Sequence, residues 1–127
     1  MNDETVISFA IDRSSRSRYR EGLLISKKRK KLLDKLNHCA PLDVRYTKWF
    51  SSFTKAVDTI NVKANSKVYI LSDSVEIDGK HMAYEDAISE VPSHGWGTII
   101  CISSSLALYY GECGESAAVI RKNDKGV

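Results

Sequence analysis

The spacing of apolar and polar residues along the first half of the chain predicts one strand followed by three helices. Apolar side chains at every second position predict a strand over residues 4–11. Apolar positions at helical spacing predict helices over about 18–24 and 26–37, and Pro41 stops the second of them. A broad apolar stripe from 46 to 60 predicts the third helix.

The second half of the chain has shorter apolar runs, which predict mainly strands. A run bounded by polar clusters predicts a buried strand at 67–72, and helical spacing predicts a helix at 83–91. Three further strand patterns are joined by connections too short for a parallel crossover. We therefore expect antiparallel strands at 98–103, 106–111 and 117–121.

Together these elements predict an α+β fold. Their order is typical of a mixed sheet with a C-terminal antiparallel three-strand meander and helices packed on one face. The chain has 127 residues, of which 43% are hydrophobic and 28% charged, so we expect residues 1–127 to form a single domain. Trp49 and Cys101 lie within apolar patterns and are expected in the core.

Membrane and export signals are absent from the sequence pattern. No apolar run is long enough to cross a bilayer, and the acidic first residues are unlike a signal peptide. Cys39, Cys101 and Cys113 are scattered without a Cys-x-x-Cys pair, which is typical of reduced thiols. We therefore expect a cytoplasmic protein without disulfides.

Charge is distributed very unevenly along the chain. The whole chain has a net charge of +3, whereas residues 13–31 hold nine cations and one acid, a local net charge of +8. Five of these cations are consecutive and begin the predicted 26–37 helix, where the helix dipole disfavours positive charge. The residues that we predict to bind an anionic partner are Arg16, Arg18, Arg20, Lys27, Lys28, Arg29, Lys30 and Lys31.

Three kinds of anion would relieve the repulsion among these cations. They are nucleic-acid phosphates, an acidic patch on another protein, and the acidic 73–90 part of this same chain. A solvated helix face with extended lysines is the alternative that needs no ligand. No zinc finger, RNP-type aromatic pair or Gly-x-x-Gly loop accompanies the segment, so the sequence leaves these alternatives open.

Catalytic and metal-binding patterns are weak throughout the chain. The histidines and cysteines lack zinc-ligand spacing, and Asp73–Gly79 departs from the spacing of a calcium loop, so we expect no metal and no cofactor. Ser103–Ser105 lacks a nucleophile elbow. Cys113 lies between two acids, which would raise the pKa of its thiol. The sequence therefore predicts no catalytic residue.

Two loops carry side chains that suit an interface. The acidic turn after the 67–72 strand contains Asp73, Glu76 and Asp78. A glycine on each side of Trp96 lets this large aromatic reach the surface, although a ring folded back on the sheet is the alternative. These four residues form a second candidate interface.

Two stretches of the chain resemble short, uncharacterised bacterial proteins. The stretches are Ser26–His38 with Leu42-Asp43, and Val68–Asp73 with Glu76–Gly79, Gly97-Thr98 and Tyr110–Glu112. The resemblance implies a bacterial cytosol but no activity and no catalytic residue. It also implies that Leu32–His38 and Asp73–Gly79 meet in space, which would pair the basic segment with acids of the same chain.

These observations favour a small non-enzymatic binding protein of the inhibitor or immunity type, which holds a protein partner through polarised charged patches. The alternative is an RNA- or DNA-binding protein that places segment 13–31 on phosphates. A small hydrolase ranks third, because it would have to bring Asp73 or Glu76 within hydrogen-bond reach of His81 or His94. We predict no membrane partner, and the oligomeric state is left open.

Overall fold

The computed structural model describes residues 1–38, 41–112 and 116–122. Its helices are α1 (Asp3–Ile7), α2 (Arg16–Gly22), α3 (Ser26–His38), α4 (Phe53–Asp58) and α5 (Tyr84–Glu90), with short 3-10 turns at Arg13–Ser15 and Val91–His94. Its strands are β1 (Thr47–Phe50), β2 (Lys67–Ser72), β3 (His81–Ala83), β4 (Thr98–Ser103), β5 (Leu106–Tyr110) and β6 (Ala117–Arg121).

The six described strands form one sheet in the order β1-β6-β5-β4-β2-β3. The predicted α+β class and the C-terminal meander are confirmed, because β4, β5 and β6 are consecutive along the chain and pair as neighbours. The predicted mixed sheet is wrong, since every described pairing is antiparallel. The β3 hairpin and α5 return the chain to the end of β2, so β4 starts there and runs in the opposite direction.

Helices cover both faces of the sheet, which corrects the prediction that they pack on one face. The core beneath α1, α2 and α3 includes Phe9, Tyr19 and Ile99, and the core beneath α4 and α5 includes Phe53 and Ile100. Successive residues of β4 are apolar and buried, so both faces of this central strand have to be shielded from water.

The first residues form a helix and turns instead of the predicted strand. The Asn2 side chain accepts the N–H of Thr5 at 3.2 Å, and Thr5 Oγ1 accepts the N–H of Asn2 at 3.2 Å, which together cap α1. Val6 is fully buried on this helix. Only Ile11 pairs in the manner of a strand, through a single bridge to Leu42. The alternating apolar residues therefore lie on a short helix and in the turns after it.

The predicted helix over 46–60 is in fact two elements. β1 occupies the first part, and α4 follows Ser52, whose Oγ accepts the N–H of Lys55 at 3.2 Å as an N-cap. The aromatic residues of 46–50 suit a strand, and pairing with β6 selects it. β3 was not predicted, because three residues are too few to show a period. The other predicted helices and strands are confirmed to within two residues at each end.

The two residues expected in the core, Trp49 and Cys101, differ in how deeply they are buried. Cys101 is fully buried, and burial raises the pKa of its thiol to about 12. Trp49 is only partly buried, and its ring packs edge-on against Tyr109 with 5.8 Å between ring centroids. Cys39 and Cys113 lie outside the described residues. No helix in the described part of the chain is long and apolar enough to span a membrane.

Candidate interaction surface

Arg29 belongs to the basic segment but is bound inside the fold. Its Nε and Nη2 donate to the Asp78 carboxylate at 2.9 and 3.0 Å, and its Nη1 donates to Asp3 Oδ2 at 2.6 Å and to the Leu23 carbonyl at 3.2 Å. Burial disfavours the charged guanidinium, but the hydrogen bonds to Asp78 and Asp3 outweigh this effect and raise the pKa of Arg29. Arg29 therefore joins α3 to α1 and to the turn after β2.

Two arginines of α2 also have acidic partners within the chain. Arg16 Nη2 lies 3.3 Å from Asp43 Oδ2, and Arg20 Nε donates to Glu4 Oε1 at 2.9 Å. Asp43 is buried, and the side chain of Arg45 donates to it at 2.7 and 3.0 Å. These bonds hold the pKa of Asp43 below its usual value. Three arginines of the basic segment are thus neutralised by acids of the same chain.

Replacing Asp43 by Asn is expected to lower the free energy of unfolding at neutral pH by about 2 kcal/mol, because charged hydrogen bonds are lost at a buried position. The folded-state pKa of Asp43 lies below its unfolded value. Its contribution is therefore complete above about pH 5 and is lost as the pH falls through the folded-state pKa. Urea unfolding across this pH range should show the two proteins converging in acid.

The control for this prediction is Asp58→Asn, since Asp58 is exposed at the end of α4. Its stability should follow that of the wild type within about 0.5 kcal/mol at every pH. An Asp43→Asn protein that stays parallel to the wild type down to the lowest pH would contradict the assigned ion pairs.

Lysines of the basic segment line a cleft between α2 and α3. The cleft has a volume of about 480 Å³, and its charged lining residues are four cations and one acid, namely Arg18, Lys28, Lys31, Lys35 and Glu21. None of these four cations forms an ion pair within residues 1–38, 41–112 and 116–122. The cleft is therefore a concentration of positive charge that the described fold leaves uncompensated.

The close packing of α2 on α3 shapes this cleft. Gly22 ends α2 so near to Leu32 that an added Cβ would overlap Leu32 Cδ1. Lys28, Lys31 and Lys35 follow at intervals of three and four along α3, so they lie on one side of the helix. Lys35 was missed by the sequence prediction because it lies beyond the basic run, although helical spacing from Lys28 would have identified it.

Exposed apolar side chains lie elsewhere around α3, outside the cationic cleft. Leu24 and Ile25 connect α2 to α3 and are 85% and 48% exposed, while Val75 in the turn after β2 is 86% exposed. Val75 and Lys30 line a common cleft of about 290 Å³. We refer to this mixture of cations and aliphatic side chains as the α3 surface, which comprises Arg18, Leu24, Ile25, Lys27, Lys28, Lys30, Lys31, Lys35 and Val75.

The acidic turn after β2 is largely bound to α3. Asn37 Nδ2 donates to Asp73 Oδ2, and Asp78 accepts both the Arg29 guanidinium and the N–H of Ser72, the latter at 3.0 Å. The contact of Asn37 with Asp73 confirms the implication of the resemblance that Leu32–His38 meets this turn. Asp73 and Asp78 therefore hold the fold together, whatever else they contact.

Trp96 is 49% exposed, so its ring does not fold back over the sheet. It stands between Gly95 and Gly97, whose φ angles of 86° and 91° favour glycine. An added Cβ at Gly97 would lie 2.6 Å from Asn37 Oδ1, which places this loop against the C-terminal end of α3. Trp96 is therefore near the α3 surface, at the end opposite Leu24.

The structure brings together only some of the residues that a hydrolase was predicted to use. His94 Nδ1 lies 3.7 Å from Glu76 Oε2 and 3.4 Å from Ser74 Oγ, and both His94 and Glu76 line a cleft of about 420 Å³. An acid–base relay needs the hydroxyl and the carboxylate on different ring nitrogens, whereas here they approach the same one. His81 lies elsewhere and donates from Nε2 to the Met1 carbonyl at 2.7 Å. This geometry does not activate Ser74 as a nucleophile.

Metal ligands are not clustered in the part of the chain that the structure describes, where no three His, Cys, Asp or Glu side chains are arranged to hold an ion.

No family model, curated protein or solved structure matches this chain. The assignment of function therefore rests on the chemistry of the α3 surface.

Proposed function

We propose that this chain is a small binding protein of the inhibitor or immunity type, and that its α3 surface holds an acidic surface of a protein partner. The observation that supports this proposal is the cleft in which Arg18, Lys28, Lys31 and Lys35 gather without an ion pair among the described residues. Concentrated charge of one sign speeds encounter with an oppositely charged partner and excludes like-charged ones.

The apolar side chains favour a protein over a nucleic acid as the partner. Leu24 lies two residues before α3 and Val75 shares a cleft with Lys30, and both side chains are almost fully exposed. Burying such aliphatic side chains against another apolar surface releases water, whereas a phosphate backbone offers them no comparable contact. Lys28 and Lys35 are seven positions apart on α3, about 10 Å, with Lys31 between them, which matches acids at the same spacing on a partner helix.

The experiment compares two triple variants with the same change of charge. Lys28→Gln/Lys31→Gln/Lys35→Gln alters the cleft, whereas Lys63→Gln/Lys67→Gln/Lys80→Gln alters exposed lysines elsewhere. Each protein is titrated by fluorescence anisotropy with a labelled helical peptide carrying glutamates at positions i, i+3 and i+7 and leucines beside them. We expect the cleft variant to bind at least about tenfold more weakly than the wild type and the control variant to be unchanged.

A labelled duplex DNA and a labelled single-stranded RNA are titrated in parallel. Tighter binding of either one than of the acidic peptide, with a steep dependence on salt and loss in the cleft variant, would support the nucleic-acid alternative and contradict our proposal. Equal peptide binding by both triple variants would show that the cleft is not the site.

A further inference from the structure

The strand β1 lies at one end of the sheet and, among the described residues, pairs only with β6. The N–H of Arg121 donates to the carbonyl of Tyr46 at 2.8 Å, which sets the alternation of this antiparallel ladder. Lys48 and Phe50 lie two and four residues after Tyr46. Their backbone N–H and C=O groups therefore point toward β6. The backbone N–H and C=O groups of Thr47 and Trp49 point to the open side.

Cations and aromatic rings surround this open edge. A cleft of about 320 Å³ beside β1 is lined by Tyr46, Lys48, Phe50, Thr59, Val119 and Arg121, none of which is acidic. The Arg45 guanidinium lies 4.7 Å from the centre of the Tyr46 ring, and Lys48 Nζ lies 5.6 Å from that of Phe50. The edge therefore offers hydrogen-bonding groups, half-buried aromatic surface and positive charge together.

Charge disfavours one register in which a second copy of the chain could pair with this edge. Two β1 strands that paired antiparallel about a two-fold axis at Lys48 would place the two lysines directly opposite each other, which is destabilising. A lysine on an edge strand is a common protection against such self-pairing. The same lysine attracts a strand that carries a carboxylate at the opposing position.

We propose that the open edge of β1 is a docking site for an extended, acidic segment of a partner protein, which adds to the sheet as a further strand. The segment pairs with the backbone of Thr47 and Trp49. Its acidic side chains lie on the side of Lys48 and Arg121, and its apolar side chains lie on the side of Trp49. This site is separate from the α3 surface and does not depend on the function proposed above.

The test uses a peptide that alternates glutamate and valine over eight residues, with both ends blocked. Amide hydrogen exchange of the full chain is followed by NMR with and without this peptide. The N–H groups of Thr47 and Trp49 have no partner within the described part of the chain, so we expect their exchange to slow at least about tenfold on binding. A peptide of the same sequence with alternate amides N-methylated cannot pair and should give no protection.

Two charge-reversal variants show whether a loss of peptide binding comes from the charge at position 48 or from a general effect on the fold. Lys48→Glu should weaken binding at least about tenfold, and Lys55→Glu on α4, also exposed, should leave it unchanged. The Lys28→Gln/Lys31→Gln/Lys35→Gln protein should bind the peptide like the wild type.

Three results would overturn the proposal. They are equal binding of the N-methylated peptide, protection of Thr47 and Trp49 that rises with protein concentration alone, and protection by a single-stranded RNA but not by the peptide. The second would indicate a dimer and the third a nucleic-acid site.

Discussion

Replacing Arg29 by Met is expected to lower the free energy of unfolding by about 3 kcal/mol, because it leaves two carboxylates without their shared cation. Asp78 and Asp3 both accept hydrogen bonds from this guanidinium, whose side chain is only 21% exposed. Asp3 also accepts the hydroxyl of Tyr69, so its position depends on the same group of contacts. The measurement is urea unfolding at neutral pH.

The matched control is Lys30→Met, the next residue of α3. Lys30 is exposed and has no ion pair among the described residues, so its loss should change stability by less than about 0.5 kcal/mol. A double-mutant cycle of Arg29→Met with Asp78→Asn should give a coupling energy above about 1 kcal/mol. If Arg29→Met is as mild as Lys30→Met, Arg29 is a surface cation and belongs with the binding lysines.

Replacing Gly111 by Ala is expected to cost about 3 kcal/mol through overpacking. An added Cβ would lie 2.7 Å from Cε2 of Tyr109 and nearer still to its hydroxyl end. This ring has little room to move, because it is fully buried, donates its hydroxyl to the Leu36 carbonyl and packs edge-on against Trp49. Gly111 has no positive φ angle, so the effect is steric and not one of backbone strain.

A second substitution tests this steric explanation for Gly111. In a Tyr109→Leu background the ring is absent, so adding Gly111→Ala should cost at least about 1 kcal/mol less than it does in the wild type. Thermal and urea unfolding of the four proteins provide the comparison. Costs that simply add would mean that the close approach of Gly111 to the ring does not limit this position.

Local sequence patterns predicted the helices and strands of this fold well where the apolar residues fitted only one kind of element. α3 is an example, because its apolar residues fit a helical spacing, and the meander strands were predicted from short apolar runs bounded by polar residues. The prediction failed where two spacings coexist. Ile7 and Ile11 fit an alternating strand, yet the Asn2 cap starts a helix there. Trp49 fits a helical stripe, yet pairing with β6 makes its segment a strand, and such pairing depends on residues far away along the chain.

The position of the candidate site could be predicted from the sequence, but not which of its cations pair with acids of the same chain. Sequence alone located the basic segment, and helical spacing explains which lysines line the cleft. The acids that pair with Arg29 are 26 and 49 residues away in sequence, so no local pattern distinguishes it from its neighbour Lys30. The consequence is that three of the arginines predicted to bind a partner hold the fold, while the lysines form no ion pair among the described residues.

Photo-crosslinking from the α3 surface would identify the kind of molecule that this surface binds. A benzophenone side chain replaces Leu24 in one protein and Asn65, exposed in the connection between α4 and β2, in another. Both are irradiated in extract from cells that naturally contain the chain, and the adducts are identified by mass spectrometry. We predict a protein adduct with an acidic contact segment at position 24, which is absent at position 65 and lost when Lys28, Lys31 and Lys35 are changed to Gln. Adducts to nucleic acid, or equal protein adducts at both positions, would contradict the proposal that the α3 surface holds an acidic surface of a protein partner.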